Sequence, residues 1–490
     1  MQTRFDHYQF HWLLKHYFAK ENSVGLALSS GDLVYLKFSN TFEIGSYPQL
    51  CQTISTMFRP QPGEIYLTND PLSGGNLSSN YYFVAALDDL PARAPQKAHS
   101  LLLCIGLSTK PTIPVNESKV GSGLRIPPTP IVMQGQLNKD ILSAICSHPD
   151  AEKGLENLIK KGIEKVQRRL KNIPLQPFYS QLKSPQFIQN FFDLTHKQFI
   201  KLFYDLPAGE ATESLYLKDK TELKLKIEIG DDHIGFDFNG TTAGTDINLT
   251  ESATASACIG ATLALTDSHL PINAGLFRSI QVLAPKNTMV NAKPPAPLFQ
   301  GFLDGVAFVA NLAFRVVNQI HSNANLKPPT AYSGVSQCSL DIWFKNGEHF
   351  FETLEAGSPA SQYHPGQTGL NIWRRSHLEP SIELAEQKYP IRIKSFSVRP
   401  QSGGSGENAG GNGVTKVIQV LEDCELRWML MSDRPRGIAG GKDALGAELT
   451  LQAADGNRSK LENKGSMPLK GGDTIVVHSP GGGGYGIKIR

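Results

Sequence analysis

The chain lacks most of the features that give a function away at once. Its six cysteines, Cys51, Cys104, Cys146, Cys258, Cys338 and Cys424, are scattered and form no C-x-x-C pair. Neither a zinc ribbon nor a disulfide scaffold is therefore expected. No apolar run approaches the roughly 18–20 residues of a membrane span. The first residues, MQTRFDHYQFHWLLKHYF, lack the apolar core and cleavage site of a secretory signal. A soluble, cytoplasmic protein is the expectation, with no membrane contact. Lys and Arg form no block, and the net charge is only +3, so nucleic acid is not an expected partner. No Gly-x4-Gly-Lys-Ser/Thr loop is present, so ATP is not expected on this chain.

What is present is an ordered set of glycines. They stand at 403, 404, 406, 410, 411 and 413, punctuated by Arg399, Glu407 and Asn412, and again at 481–484 and 486. A flexible linker shows Gly and Ser without such order. Glycine at ordered positions marks positive φ or close approach of another segment. The expectation is that both groups lie in turns packed near one another, within a β-rich region.

At 490 residues the chain exceeds what one core usually serves. An α+β, multi-domain fold is expected, divided as 1–175 (α+β), 176–390 (mixed) and 391–490 (β-rich). Residues 6–20 read as an amphipathic helix. Segments 24–29 and 32–38 read as a hairpin across Ser30-Gly31. Leu155, Leu158, Ile159, Ile163, Val166 and Leu170 recur at helical spacing, giving a helix over 150–171 with Asp150 as its N-cap. Ser184-Pro185 opens another helix. Strict alternation over 222–238 predicts a hairpin turning at 230–232. Residues 251–266 and 305–320 read as buried helices.

Several residues could carry chemistry. His7 and His11 share one helix face at i, i+4 spacing, with His16 beyond; a metal pair competes with solvated surface imidazoles. Cys104 lies in an apolar run, as a nucleophile or a buried structural thiol. Asp70, in Asn69-Asp70-Pro71, is either catalytic or a turn residue bonding its own backbone. Arg434 and Arg436 could bind a carboxylate or phosphate, or line an interface with another chain.

Eight motifs in order resemble the hydantoinase B / 5-oxoprolinase B-type family, which includes acetone carboxylase alpha chains. They include residues 63–75 with the Asn-Asp-Pro turn, 123–128, 135–138, 237–242, 271–275, 351–353, 389–392 and the glycine framework. The resemblance implies a B-type subunit working with a hydantoinase A-type partner. There, the partner uses ATP to phosphorylate a cyclic-amide carbonyl, and the B-type chain holds a divalent metal. It implies oligomeric assembly, and a carboxylase-type role is an alternative. The chain departs from the family where polar side chains are expected. Leu77 stands at a metal-ligating His and Asn80 at an Asp. Glu43 replaces an upstream His, and Asn371 to Trp373 replaces a His-x-His pair. The segment 100–115 supplies no His or Asp. Leucine cannot ligate a metal and a neutral amide is a poor substitute for carboxylate. The family metal is therefore expected to be absent, and a non-catalytic, degraded paralogue is the competing reading. Asp70, Asn80 and Glu43 are the candidate site residues.

Overall fold

A computed structural model describes residues 2–38, 41–87, 100–109, 113, 123–217, 221–244, 246–266, 269–299, 301–331, 338–370, 381–430 and 434–487. Segment 371–373, His377 and Ser432-Asp433 lie outside them. The chain packs as two compact units. The first comprises 1–111, 120–210 and 216–298; the second comprises 112–119, 211–215 and 299–490.

The first unit contains α1 (Gln2–Tyr17), β1 (Ser23–Leu28), β2 (Leu33–Lys37), α2 (Ser46–Phe58), β3 (Ile65–Thr68), β4 (Asn80–Ala86), β5 (Leu101–Ser108), β6 (Thr129–Met133) and β7 (Gln136–Leu137). These seven strands form one sheet in the order β2-β1-β5-β4-β3-β6-β7, antiparallel throughout. Strands β1, β4 and most of β5 are buried on both faces, which explains their continuous apolar runs. Helices α3 (Lys139–Cys146), α4 (Leu155–Asn172), α5 (Tyr179–Leu182) and α6 (Pro185–Phe203) follow. The stripe Leu155, Ile159, Ile163 and Val166 buries α4 in the same core as Phe10, Leu14 and Phe18 of α1 and its C-terminal end.

Two local expectations need correction. The α4 helix starts at Leu155, preceded by Gly154 in the left-handed region, and Asp150 is not its cap. The turn at Gly154 resets the chain direction, which periodicity alone does not register. By contrast, the Ser184 side chain accepts the Phe187 N–H, capping α6 as expected. The second correction concerns α1. His7 is buried and stacks on Phe187 at 4.5 Å, and burial together with nearby Lys15 pushes His11 down to about 4. They are packing residues rather than solvated ones.

After α6 come β8 (Gly209–Tyr216), β9 (Glu222–Ile229) and β10 (Ile234–Asp237). The last two form the expected antiparallel hairpin, extended in parallel by β11 (Ile280–Leu283). Helix α7 (Glu251–Leu265) is buried on nearly every side and opens with a Thr250 cap; the short α8 (Ala274–Phe277) follows it.

The second unit holds α9 (Val306–Asn323), β12 (Cys338–Phe344), β13 (His349–Leu354), α10 (Ile382–Lys388), β14 (Ile391–Val398), β15 (Val414–Val420), β16 (Cys424–Met429), β17 (Glu448–Gln452), β18 (Arg458–Lys460), β19 (Lys464–Leu469) and β20 (Thr474–His478). Two sheets, β13-β12-β16-β19 and β14-β15-β20-β17-β18, enclose one apolar core. Lys416 and Glu352, one from each sheet, pair with both side chains almost fully buried.

The glycine framework belongs to this unit, and backbone bonds hold its two groups together. The two glycine groups do pack together, through lateral backbone bonds between loop segments, with Gly486 in the left-handed region. Gly404 N–H donates to Gly482 O, Gly482 N–H to Gly411 O and Gly411 N–H to Ser358 O, each at 2.9 Å. None of the six glycines between 403 and 413 sits in the left-handed region; what each position lacks is room. A Cβ on Gly410 would overlap the Gly482 carbonyl oxygen, and one on Gly411 would overlap that of Gln367. Arg399 ties the framework to the sheet by donating to Gly446 O and Ser479 O.

Candidate functional site

The candidate residues fall in the first unit, on the sheet and on the loops beside it. Asp70 follows β3. Its carboxylate accepts the Leu72 N–H at 3.1 Å and the Ser73 hydroxyl at 2.7 Å, capping a single 3-10 turn over Pro71–Ser73. Arg125 stands 3.7 Å away, half exposed. Asn69 beside it is tied to backbone on both sides: it donates to Ser78 O and Leu124 O and accepts from Ile126 N–H. The Asn-Asp-Pro turn is thus a knot that joins two loops. Of the two readings of Asp70, the turn residue is the one whose bonds are visible.

Glu43 is different. It sits in a 3-10 turn over Thr41–Glu43, buried. Ser23 of β1 donates its hydroxyl to Glu43 Oε2 at 2.9 Å. Burial pushes the carboxyl up to about 7, and only the Ser23 bond opposes it. Tyr47 and Tyr82 face the same region. Burial drives both phenols far above their usual range, and Glu43 and Cys104 add to this. The Tyr47 hydroxyl is buried and directed at Ser23 without completing a hydrogen bond. Gly106 of β5 makes its position possible, since a Cβ there would lie 2.7 Å from that hydroxyl. Around the rim, Ser46 donates to Asn76 Oδ1 at 2.8 Å and Asn76 donates to Tyr82 at 3.4 Å. Gly45 N–H donates to Ser256 on α7 at 2.8 Å, closing the base.

Asn80 opens β4, and its side chain lies against the Tyr82 phenol. Leu77 is buried. The structure therefore brings Glu43 and Asn80 to one centre, around Tyr82, and places Asp70 in a network of its own. Cys104 is fully buried beside Cys51, and burial raises its thiol well above the ordinary value. That is a structural thiol rather than a nucleophile. Sequence reasoning missed Ser23, Tyr47, Tyr82 and Cys51, whose convergence depends on pairing β1 with β5 and β5 with β4. Arg434 and Arg436 are exposed in the second unit.

The donor set is a poor match for a divalent metal. Transition metals take imidazole, thiolate or carboxylate oxygen. Here the centre offers one carboxyl with a raised pKa, hydroxyls, amides and the Cys104 thiol, which burial keeps from the thiolate form a metal takes. Among the described residues no cluster of three His, Cys, Asp or Glu side chains is placed to hold an ion. The residues present do not fit the metal.

This chain belongs to the hydantoinase B/oxoprolinase family, whose model matches residues 17–488. An uncharacterised protein of Methanocaldococcus jannaschii is 28% identical over 440 residues, covering 86% of this chain and 76% of that protein. The putative B-type component of a D-/L-hydantoinase from Pseudomonas sp. strain NS671 is 25% identical over 471 residues, covering 87% and 76%. The 5-oxoprolinase of Dictyostelium discoideum is 28% identical over 283 residues, but the match spans only 21% of its length. In fold, the chain resembles the ATP-dependent caprolactamase of Pseudomonas jessenii with a TM-score of 0.81 at 18% identity, covering 99% of this chain and 90% of that one. Acetone carboxylase follows with a TM-score of 0.74 at 14% identity, covering 96% and 72%. Among the described residues no helix is long and apolar enough to cross a membrane.

Proposed function

We propose that this chain is the B-type subunit of an ATP-dependent cyclic-amide hydrolase and assembles with a hydantoinase A-type partner in the cytoplasm. The supporting observation is the family match over nearly the whole chain, together with the likeness to the B-type component of a hydantoinase over most of both chains. ATP belongs on the partner, because this sequence has no phosphate-binding loop of the Gly-x4-Gly-Lys type. The chemistry has a simple balance. A lactam carbonyl is a poor electrophile. Transfer of the terminal phosphoryl group of ATP to its oxygen creates a leaving group. Water then adds at the carbon, the ring C–N bond opens, and an amino acid, ADP and phosphate leave. Of the candidate residues, Glu43 and Asn80 share the polar centre, whereas Asp70 lies in its own network.

A second reading is favoured by one observation: buried Leu77 and neutral Asn80 stand where the resemblance places ligands. On that reading the chain is a non-catalytic paralogue that holds its partner. A carboxylase-type role is the third. The deciding experiment co-purifies the chain with an A-type partner and measures ATP hydrolysis with 5-oxoproline, a hydantoin, caprolactam or acetone added. The chain alone is expected to be inactive, and the pair is expected to hydrolyse ATP only when a cyclic amide is added. A pair that binds tightly but responds to no substrate selects the paralogue. A response to acetone with bicarbonate selects the carboxylase.

A further inference from the structure

The lack of a three-donor cluster among the described residues is only half of what surrounds Glu43. A divalent ion is held by anionic or imidazole donors converging on one point, each oriented by an outer partner. The buried side chains at the spot in question bond to one another in two small sets. Ser23 donates to Glu43, Ser46 to Asn76, and Asn76 to Tyr82. The Tyr47 ring is fully buried, with its hydroxyl brought in over the bare Cα of Gly106. Among the described residues no cation acts on Glu43. A carboxyl in such a place is more stable carrying its proton than carrying a charge.

We infer that this centre is metal-free: a buried, hydrogen-bonded carboxylic acid on Glu43, held by Ser23 and walled by Tyr47 and Tyr82, takes the place of a divalent ion. What such a centre offers a reaction is a proton rather than a Lewis acid. The inference rests on the family position of the site and not on whether a lactam is hydrolysed.

Elemental analysis of the purified full chain, prepared without chelator, is the first arm. Manganese, zinc and iron are expected well below stoichiometric amounts, with a melting temperature unmoved by added Mn2+, Zn2+ or EDTA. The second arm is the infrared difference spectrum between wild type and Glu43→Gln at about pH 6, below the raised carboxyl value. The carbonyl stretch of a protonated carboxyl is expected in the wild type and absent from the variant. Should Glu43→Gln not fold, Ser23→Ala replaces it: losing the donor should move that stretch to higher frequency and leave the metal content unchanged. Stoichiometric metal that chelation removes, or ionised carboxylate bands in place of the carboxyl stretch, overturns the inference. Neither arm measures turnover, so its failure is distinct from failure of the functional reading.

Discussion

The polar centre of the first unit and the glycine framework of the second are opposite solutions to holding a backbone in place. In the centre, the chain is fixed by strands, and side chains decide the chemistry. Leu and Asn there occupy positions where the family resemblance implies ligands and Glu one where it implies a His, and β1, β4 and β5 still pair in full register. In the framework, side chains are nearly absent, and the carbonyls and N–H groups of one segment are the partners of the next. No exchange of chemistry is possible there without breaking the packing. The difference teaches how a protein can keep a family's fold with altered site residues. Fold and chemistry are carried by different residues.

The sharpest way to break that comparison is a single methyl group. Gly410→Ala places a Cβ on the Gly482 carbonyl oxygen, a backbone atom that cannot rotate away. The expected loss is on the order of 4 kcal/mol or more, seen as loss of soluble protein or of the main thermal transition. Gly235→Ala in β10 is the matched control. Its nearest neighbour would be 4.0 Å away, so it should change stability by no more than about 0.5 kcal/mol. Equal effects of the two would show that the framework tolerates side chains.

The same contrast governs what could be read from sequence. The 222–238 hairpin, the Ser184 cap and the β-rich end were legible because alternation and capping are local signals. The order of the framework glycines was legible too. Its lateral bonding was not, because Gly411 meets Ser358 and Gly482 only through long-range contacts. His7 reads as a solvated imidazole or half of a metal pair, although it shares a helical stripe with Phe10, Leu14 and Phe18. That spacing is the available signal. Glu43 and Asn80 come from family resemblance alone, since nothing in their spacing joins them. Tyr47 and Tyr82 carry no motif and require the strand order.

A second comparison lies inside the first unit, between two buried carboxylates. Glu21 receives Lys165 at 2.7 Å and Arg169 through two nitrogens, at 2.7 and 3.0 Å. Arg169 also donates to Tyr17 O, so the pair clamps the end of α1 onto α4. Burial works to raise the Glu21 pKa, but the two cations hold it below the ordinary carboxylate range. Glu21→Gln leaves Arg169 inside with half its partners, and the expected loss is roughly 3–4 kcal/mol. Because the folded pKa is depressed, the Glu21 contribution is present above the unfolded carboxylate value and fades as pH falls through the folded one. Urea melts from about pH 6 downward should show wild type converging on Glu21→Gln, and parallel curves would remove the clamp from the argument.

Glu43 should behave in the opposite sense. Its carboxyl is raised from an unfolded value of 4.5 to about 7, with burial as the cause. The folded state therefore binds the proton more tightly than the unfolded state between those values. Stability is fully present below the unfolded value and is lost as pH rises through the folded one. The size follows from the shift, at about 1.4 kcal/mol per unit, giving a loss of up to about 3 kcal/mol by mild alkali. Water reaching the ionised carboxylate would reduce that figure without changing its sign. Glu43→Gln separates the proton from the shape. The amide keeps an acceptor for Ser23 and never ionises, so this variant should match wild type near pH 4 and exceed it near pH 8. Denaturant melts at the two pH values make the measurement. A wild type that gains on Glu43→Gln as pH rises would mean that Glu43 is used as an anion. The two carboxylates of this unit would then be alike after all.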